Sequence, residues 1–413
     1  MELSLINKHW QEGFRYNIPY RRTLYGKLCQ HLSRKFILSL VGLRRTGKTT
    51  LLRQLMDFLI TEKGVPRHNI LYYSFDEPAE WQKVVDEFLR VTHKELETQP
   101  LYFFLDEVQK LENWQNKVKI YYDHYPNIRF IVSGSSSLFI RKKSESLAGR
   151  ILEFPLPPLS FPEFIALRGK EALTHNKEMF AAELQREFEK YASRQFIEII
   201  EEPEEIGQEY FNSLLRKVIY EDIPQVYPVE QPQVLWRLFK IIAAQPGMLL
   251  DYHSLSSDLG IHERTLSAYT EFLEKAFLIK KIYNFSRNKL TSEKKLKKIY
   301  PIASSFCESD LSKKVEALII TQIPCNFFWR RTEEVDCILV NDEVIPVEIK
   351  YRESIKNKDL KGLMKFMKEF DTKRGIVLTK NTEKEGNIKF IPAWKCLLNV
   401  EAHIGVTKKN HNL

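Results

Sequence analysis

The sequence predicts an α/β protein: a parallel sheet with helices on both faces, followed by a second region of helices and short strands. Three observations lead there. Apolar runs of strand length alternate with segments of helical periodicity from residue 36 to about residue 135. One of those runs opens onto a glycine-rich loop that leads straight into a helix. Another ends in a pair of acids.

Residues 1–35 read as helical and basic. Phe36-Ile37-Leu38-Ser39-Leu40-Val41 reads as a buried strand. Then come Gly42, Leu43, Arg44, Arg45, Thr46, Gly47, Lys48 and Thr49, the pattern G-x-x-x-x-G-K-[ST], and Thr50. Leu51, Leu52, Leu55 and Leu59 follow at helix-face spacing. Between a strand and a helix, the glycines let the backbone curl around a phosphate chain, with N–H groups and a helix N-terminus aimed at the anion. Gly42 to Thr50 are thus the expected ATP-binding residues. Lys48 is expected to reach the β- and γ-phosphates, and Thr49 to hold Mg2+ through its hydroxyl.

Residues 69–75 read as a second strand and 78–98 as a helix. Leu101-Tyr102-Phe103-Phe104-Leu105 is a strand ending in Asp106-Glu107. Nucleotide hydrolysis needs a carboxylate to hold the metal and a base to orient the attacking water. Asp106 fits the first role and Glu107 the second. Residues 113–124 read as a helix. The strand Ile128–Val132 ends in Ser133-Gly134-Ser135-Ser136-Ser137. There Ser133 either senses the γ-phosphate or positions the attacking water, or the serines belong to an ordinary loop and helix cap.

The loop, the Asp106-Glu107 strand and the Ser133 strand tip resemble the ATPase core of the AAA+ class, in the version with extra strands beside the phosphate loop. More narrowly, the chain resembles a prokaryotic group of AAA+ ATPases with an uncharacterised C-terminal domain. The residues are Asp106-Glu107-Val108-Gln109, Trp114, Ser133-Gly134-Ser135, Ala148-Gly149-Arg150 and Pro157-Pro158-Leu159-Ser160-Phe161. Arg150 is a candidate for stabilising transition-state charge, in its own or a neighbouring subunit of a homo-oligomer. A structural salt bridge is the alternative.

With 413 residues, the chain exceeds what one ordinary core supports. Hydrophobic content of 43% with 28% charged residues excludes a disordered or membrane-embedded class. No apolar stretch is long enough to cross a bilayer, so no membrane partner is expected. Met1 to Leu5 lacks a basic-then-apolar signal pattern. The cysteines at 29, 307, 325, 337 and 396 are scattered, so neither a disulfide framework nor a zinc site is expected, and the cytoplasm is the expected location. The net charge of +9 is unevenly spread. Residues 14–48 carry basic side chains and no acid. Residues 280–300 hold Lys280, Lys281, Arg287, Lys289, Lys294, Lys295, Lys297 and Lys298 against Glu293 alone. Such clusters suit phosphate backbones, or are simply solvated surface.

From residue 156 to about 230 the pattern is mostly helical. Val234–Ala244 is an amphipathic helix, residues 251–259 a second ended by Gly260, and residues 262–276 a third. An apolar strand follows at 277–283. Three helices plus a hairpin suggest a winged helix-turn-helix. Its third helix should expose His262, Glu263, Arg264 and Ser267. Lys294, Lys295, Lys297 and Lys298 in the wing are the expected phosphate contacts. DNA contact and protein scaffolding stay equally open for this module.

The last region reads α-β-β-β-α-β. A helix around 312–320 holds Glu316. Strands at 326–331, 334–340 and 344–350 precede a helix near 357–371 and a strand at 375–378. This order resembles the PD-(D/E)XK nuclease fold, with Asp336, Glu348 and Lys350 in the motif positions and Glu316 as an extra acid. Two carboxylates would hold a second Mg2+ or Mn2+, and the lysine would help orient hydroxide. Glu348 and Lys350 are two apart on a strand and so face one side.

The expected division is an ATPase core at 1–155, a helical connector at 156–230, a winged helix at 231–290 and a small α/β nuclease-like domain at 291–413. The function expected is ATP hydrolysis coupled to binding or processing of DNA or another nucleic acid. The alternative is a signalling or scaffold ATPase whose C-terminal domains bind protein.

Overall fold

The computed structural model describes residues 2–135, 147–288 and 296–405. The chain divides into two compact units, Met1–Pro158 and Leu159–Leu413.

The first unit is built on five strands: β1 (Ile37–Val41), β2 (Ile70–Ser74), β3 (Leu101–Asp106), β4 (Ile128–Gly134) and β5 (Ile151–Pro155). Their order is β2-β3-β4-β1-β5, and every neighbouring pair is parallel. β4 is thus inserted between β1 and β3. Buried on both faces, the strands read as near-continuous apolar runs. Alternation sends successive side chains to opposite faces. Phe104 lies with Leu38, Leu40 and Ile131 against Leu51, Leu55 and Leu59 of the helix Lys48–Thr61. Its neighbour Phe103 meets Phe130 at 5.5 Å and Trp81 and Phe88 of the helix Trp81–Thr92 at 6.0 and 5.5 Å. Helices therefore cover both faces, as expected. Burial of each such aromatic ring is worth about 1.5–3 kcal/mol.

The N-terminal segment closes the β2 edge. The Asn7 side chain donates to the Tyr72 carbonyl (3.1 Å) and accepts from the Tyr72 amide (2.7 Å). His9 Nε2 lies 3.1 Å from the Ile70 carbonyl, and Trp10 Nε1 donates to that same oxygen at 2.8 Å. Unpaired strand groups are thereby satisfied rather than left as a template for another chain.

Among its described residues the second unit carries eight strands: β6 (Met248–Leu250), β7 (Ile279–Asn284), β8 (Lys297–Pro301), β9 (Phe327–Arg330), β10 (Glu334–Val340), β11 (Val344–Lys350), β12 (Gly375–Thr379) and β13 (Ile388–Pro392). They form one sheet in the order β13-β12-β11-β10-β9-β7-β8-β6. Helices Pro232–Ala244, Tyr252–Leu259 and Glu263–Lys275 occupy the three expected positions. The second is capped by Asp251, whose side chain accepts from the amides of His253 and Ser254, and ends at Gly260, where φ of +70° suits glycine. β6, β8 and β7 form an antiparallel part of the sheet. The helix Leu311–Gln322, strands β9, β10 and β11, the helix Lys361–Phe370 and β12 follow in the α-β-β-β-α-β order expected. Strands from both sides of residue 290, where the sequence suggests a domain boundary, belong to this one sheet. β7 joins β9 in parallel through Tyr283 opposite Phe327 and Asn284 opposite Phe328.

The cysteines depart from expectation. Cys325 and Cys337 are joined as a disulfide, with Cα atoms 5.9 Å apart. Antiparallel pairing of β9 with β10 brings them together, an adjacency that a separation of 12 residues does not announce. Among the described residues, no helix is long and apolar enough to cross a membrane.

His9 gives the first unit a pH signature. Burial holds its imidazole down to about 4 from an ordinary 6.5, with the charges of Arg67 and His68 adding to the effect. Between those values the unfolded chain binds a proton that the folded chain does not, so stability falls as pH drops through that window. The wild type should lose up to about 3 kcal/mol more than His9→Gln between pH 6.5 and 4. Equal pH slopes in chemical denaturation of the two proteins would remove His9 from this role.

Candidate functional site

The loop at residues 42–47 lies at the C-terminal end of β1, beside the ends of β4 and β3. Gly47 adopts a φ of +93° and leads into the helix at Lys48. A Cβ on Gly42 would fall 2.4 Å from the Leu156 carbonyl oxygen, so the backbones approach as only glycine allows. The Lys48 ammonium is buried and donates to the Gly42 and Leu43 carbonyls, each at 3.0 Å. The Thr46 hydroxyl donates to Leu43 at 2.8 Å.

Asp106 gathers the rest. Thr49 Oγ1 donates to its Oδ2 at 2.6 Å, and the Tyr72 hydroxyl to the same oxygen at 3.2 Å. The Ser133 hydroxyl donates to Oδ1, as does the Glu107 amide at 3.0 Å. Insertion of β4 explains the serine: Leu40 is in register with Ser133, and Leu105 with Val132, so Ser133 sits between the loop and the acid. Glu107 takes a left-handed φ of +49° and is 8% exposed. Burial raises its carboxyl pKa; Lys48 opposes this and Asp106 adds to it. The Gln109 amide bridges Glu107 Oε2 and Ser135 Oγ, the second at 3.0 Å. Ser136 and Ser137 lie outside the described residues.

The sequence therefore brings Lys48, Thr49, Asp106, Glu107 and Ser133 together. It did not single out Tyr72, whose signal is only its strand register opposite Phe104. Arg150 is not brought to the loop of its own chain. Its carbonyl accepts from the Ile37 amide at 2.8 Å, at the start of β1. A strand length of about 13 Å separates it from the loop end of the sheet. Its side chain pairs with Asp123 at 3.0 Å, the structural salt bridge named as the alternative.

Residues 34–165 match the family model described as an AAA domain. The match falls on the region that carries the phosphate-loop pattern and the Asp106-Glu107 strand. Residues 198–307 and 311–396 match two families described as domains of unknown function, DUF8612 and DUF4143. A protein of Haemophilus influenzae is 27% identical over 270 residues, which span 63% of this chain and 66% of that relative. A protein of Methanocaldococcus jannaschii is 25% identical over 441 residues, spanning 95% of this chain and 91% of its own. Among solved structures, the Aeropyrum pernix ORC1 protein in complex with DNA matches with 13% identity and a TM-score of 0.31, over 76% of this chain and 95% of that one. The ORC2 protein of the same organism, in its ADP form, matches with 12% identity and a TM-score of 0.36, over 71% and 93%.

A second cluster lies in the second unit. Asp336 on β10 accepts from the Ile349 amide at 2.8 Å. The Lys350 ammonium bonds Glu348 Oε1 and lies 3.6 Å from Asp336 Oδ2. Burial works against the charge on Lys350, but Asp336 and Glu348 outweigh it and raise its pKa. Burial pushes Glu348 up to about 8, and Asp336 adds to that. Among the described residues, Glu348 Oε2 is buried without a hydrogen-bond partner. Glu316 accepts from the Tyr300 hydroxyl at 2.9 Å and from Lys313 at 2.8 Å. Among the described residues, no group of three or more His, Cys, Asp or Glu forms a metal cage.

The basic wing departs from expectation. Lys298 is buried and bonds Glu334, facing this cluster instead of solvent. Lys280 donates to the Ile320 carbonyl at 2.7 Å, Lys281 pairs with Glu274 at 2.7 Å, and Lys297 lies 5.2 Å over the Tyr283 ring. Residues two apart on a strand share a face, and β8 turns Lys298 and Tyr300 inward together. Lys289, Glu293, Lys294 and Lys295 lie outside the described residues. On the third helix His262, Glu263, Arg264 and Ser267 are exposed, as expected.

Proposed function

We propose that this protein is a Mg2+-dependent ATPase whose nucleotide state governs binding of a nucleic acid by its second unit. The observation that carries the ATPase reading is Asp106, held between the Thr49 hydroxyl and the Ser133 hydroxyl at the mouth of the loop. Thr49 and Asp106 supply hard oxygen donors 2.6 Å apart, which fit Mg2+. Such an ion, when bound, neutralises charge on the β- and γ-phosphates. Lys48 exchanges the Gly42 and Leu43 carbonyls for phosphate oxygens. Glu107, with its pKa raised by burial, accepts from and orients the attacking water, while Gln109 fixes its carboxylate. Ser133 senses the γ-phosphate through Asp106, a reading supported by its hydrogen bond to that carboxylate. Arg150 has a role only if a neighbouring subunit of a homo-oligomer uses it.

The nucleic-acid reading rests on the three helices and antiparallel strands β6, β8 and β7, an order that suits a winged helix. Protein scaffolding through the same module is the competing outcome. A second activity is favoured by one observation: among the described residues, Glu348 Oε2 is buried and has no hydrogen-bond partner beside Asp336 and Lys350. Asp336 and Glu348 would hold Mg2+ or Mn2+, and such a cation activates water for attack on a phosphodiester.

Lys48→Ala should weaken ATP binding by removing the charge on the phosphates. Glu107→Gln should retain binding and lower kcat by roughly 10^2-fold or more, as loss of a general base does. ATPase turnover at the wild-type rate in Glu107→Gln would exclude that residue from catalysis.

ATP hydrolysis should rise with single- or double-stranded DNA or RNA, and binding should weaken steeply as salt rises from about 50 to 200 mM. An ATPase indifferent to every nucleic acid, with no salt-dependent binding, would favour the scaffold reading.

In Mg2+ or Mn2+ the full chain should cut DNA or RNA. Asp336→Ala and Lys350→Ala should each abolish the cut and leave ATPase unchanged, since the two sites use different residues. A gel assay with no metal-dependent product from the wild type would reduce this cluster to a charged core.

A further inference from the structure

The nucleotide loop is tied at three points to the last residues of its own unit. The Leu156 amide donates to the Val41 carbonyl at 2.7 Å. The Leu156 carbonyl occupies the space a side chain at position 42 would need. The third tie is Arg22. Its Nη1 donates to the Thr46 carbonyl at 2.6 Å, and its Nη2 to the Pro157 carbonyl at 2.8 Å and the Pro158 carbonyl at 3.4 Å.

Each tie has a physical reason. Pro157 and Pro158 have no N–H and a fixed φ, so this stretch cannot continue the β5 ladder and stays stiff. Their carbonyls then need donors from side chains. A guanidinium presents its N–H groups in a rigid planar fork and can hold two chain segments at once, which an ammonium point charge does less specifically. Arg22 is 5% exposed, and burial at that level strengthens a charged hydrogen bond while raising the cost of losing a partner.

The loop end of this clamp is sensitive to a ligand. Lys48 rests on the Gly42 and Leu43 carbonyls, and the Thr46 hydroxyl on Leu43. A phosphate chain that draws Lys48 away removes its donation to two carbonyls. The bonding of the loop then changes at Gly42 and Leu43, one of which abuts Leu156 and the other of which holds Thr46.

We infer that Arg22 is a positioning residue that clamps the Thr46 carbonyl of the loop to the Pro157–Pro158 segment, so that nucleotide occupancy is felt where the first unit ends. The inference rests on ATP occupying the loop. The Arg22 bonds to Thr46, Pro157 and Pro158 all go to backbone carbonyls and use neither Thr49 nor Asp106. The contribution of Arg22 is to make the loop and the exit segment move as one piece.

The test is hydrogen exchange on the full chain, with and without ATP, read on peptides covering residues 152–165, beside a fluorescence titration of ATP binding. In the wild type, ATP should slow exchange of the Leu156 and Leu159 amides by about tenfold. Arg22→Lys keeps the charge but loses the fork. It should bind ATP within about threefold of the wild type and lose the nucleotide-dependent difference at those amides. Pro158→Ala, which leaves Arg22 and the loop intact, should blunt that difference and leave ATP affinity unchanged, and it serves if Arg22→Lys does not fold. An exchange difference that survives in Arg22→Lys or in Pro158→Ala overturns the inference. So does a wild type that binds ATP with no change at residues 156–159. A wild type that binds no ATP overturns the nucleotide reading itself, and the titration separates that outcome from the others.

Discussion

Asp106 is a buried carboxylate that four parts of the first unit must satisfy at once. Its two oxygens take donors from Thr49 at the start of the helix after the loop, Tyr72 on β2, Ser133 on β4 and the Glu107 amide. A charge out of water is tolerated only with such partners. The sheet order supplies them, because β4 between β1 and β3 carries Ser133 to the one acid that the loop also reaches. A slip of one residue in β3 would point Asp106 at the opposite face and Glu107 into its place. Register, loop geometry and chemistry in this unit are therefore one constraint.

Much of that constraint is legible in the sequence, because it is local. A strand of five apolar residues, a loop with glycines at fixed offsets and a helix with leucines on one face each declare themselves within about fifteen residues. Lys48, Thr49, Asp106 and Glu107 could be named on that basis. The α-β-β-β-α-β order of the last region, and the shared face of Glu348 and Lys350, follow from period-two alternation in the same way.

What stayed hidden depends on contacts between distant segments. Arg22 looks like one more residue in a basic N-terminal stretch, yet its partners lie 24 and 135 residues on. Tyr72 is an unremarked aromatic until β2 is laid beside β3. Charge clustering makes Lys298 an expected phosphate contact of the wing, but the pleat of β8 turns it inward to Glu334. Arg150 suited a catalytic role by its place in a motif; only the direction of β5 reveals that it stands at the far end of the sheet. Cys325 and Cys337 meet because two strands pair, not because of their spacing. In each case the deciding fact is a contact or a strand placement that no local stretch of sequence specifies.

The shared sheet of the second unit has an evolutionary consequence. β7 and β9 bond through Tyr283, Asn284 and Phe285 on one side and residues 326–330 on the other. Separating the two halves would bare two raw strand edges, each a template for the wrong neighbour. Modules joined only by a linker can be shuffled between genes. Halves that share a hydrogen-bonded seam each expose an edge when one is present without the other. Regions 198–307 and 311–396 match separate families, yet in this chain their strands meet along that seam.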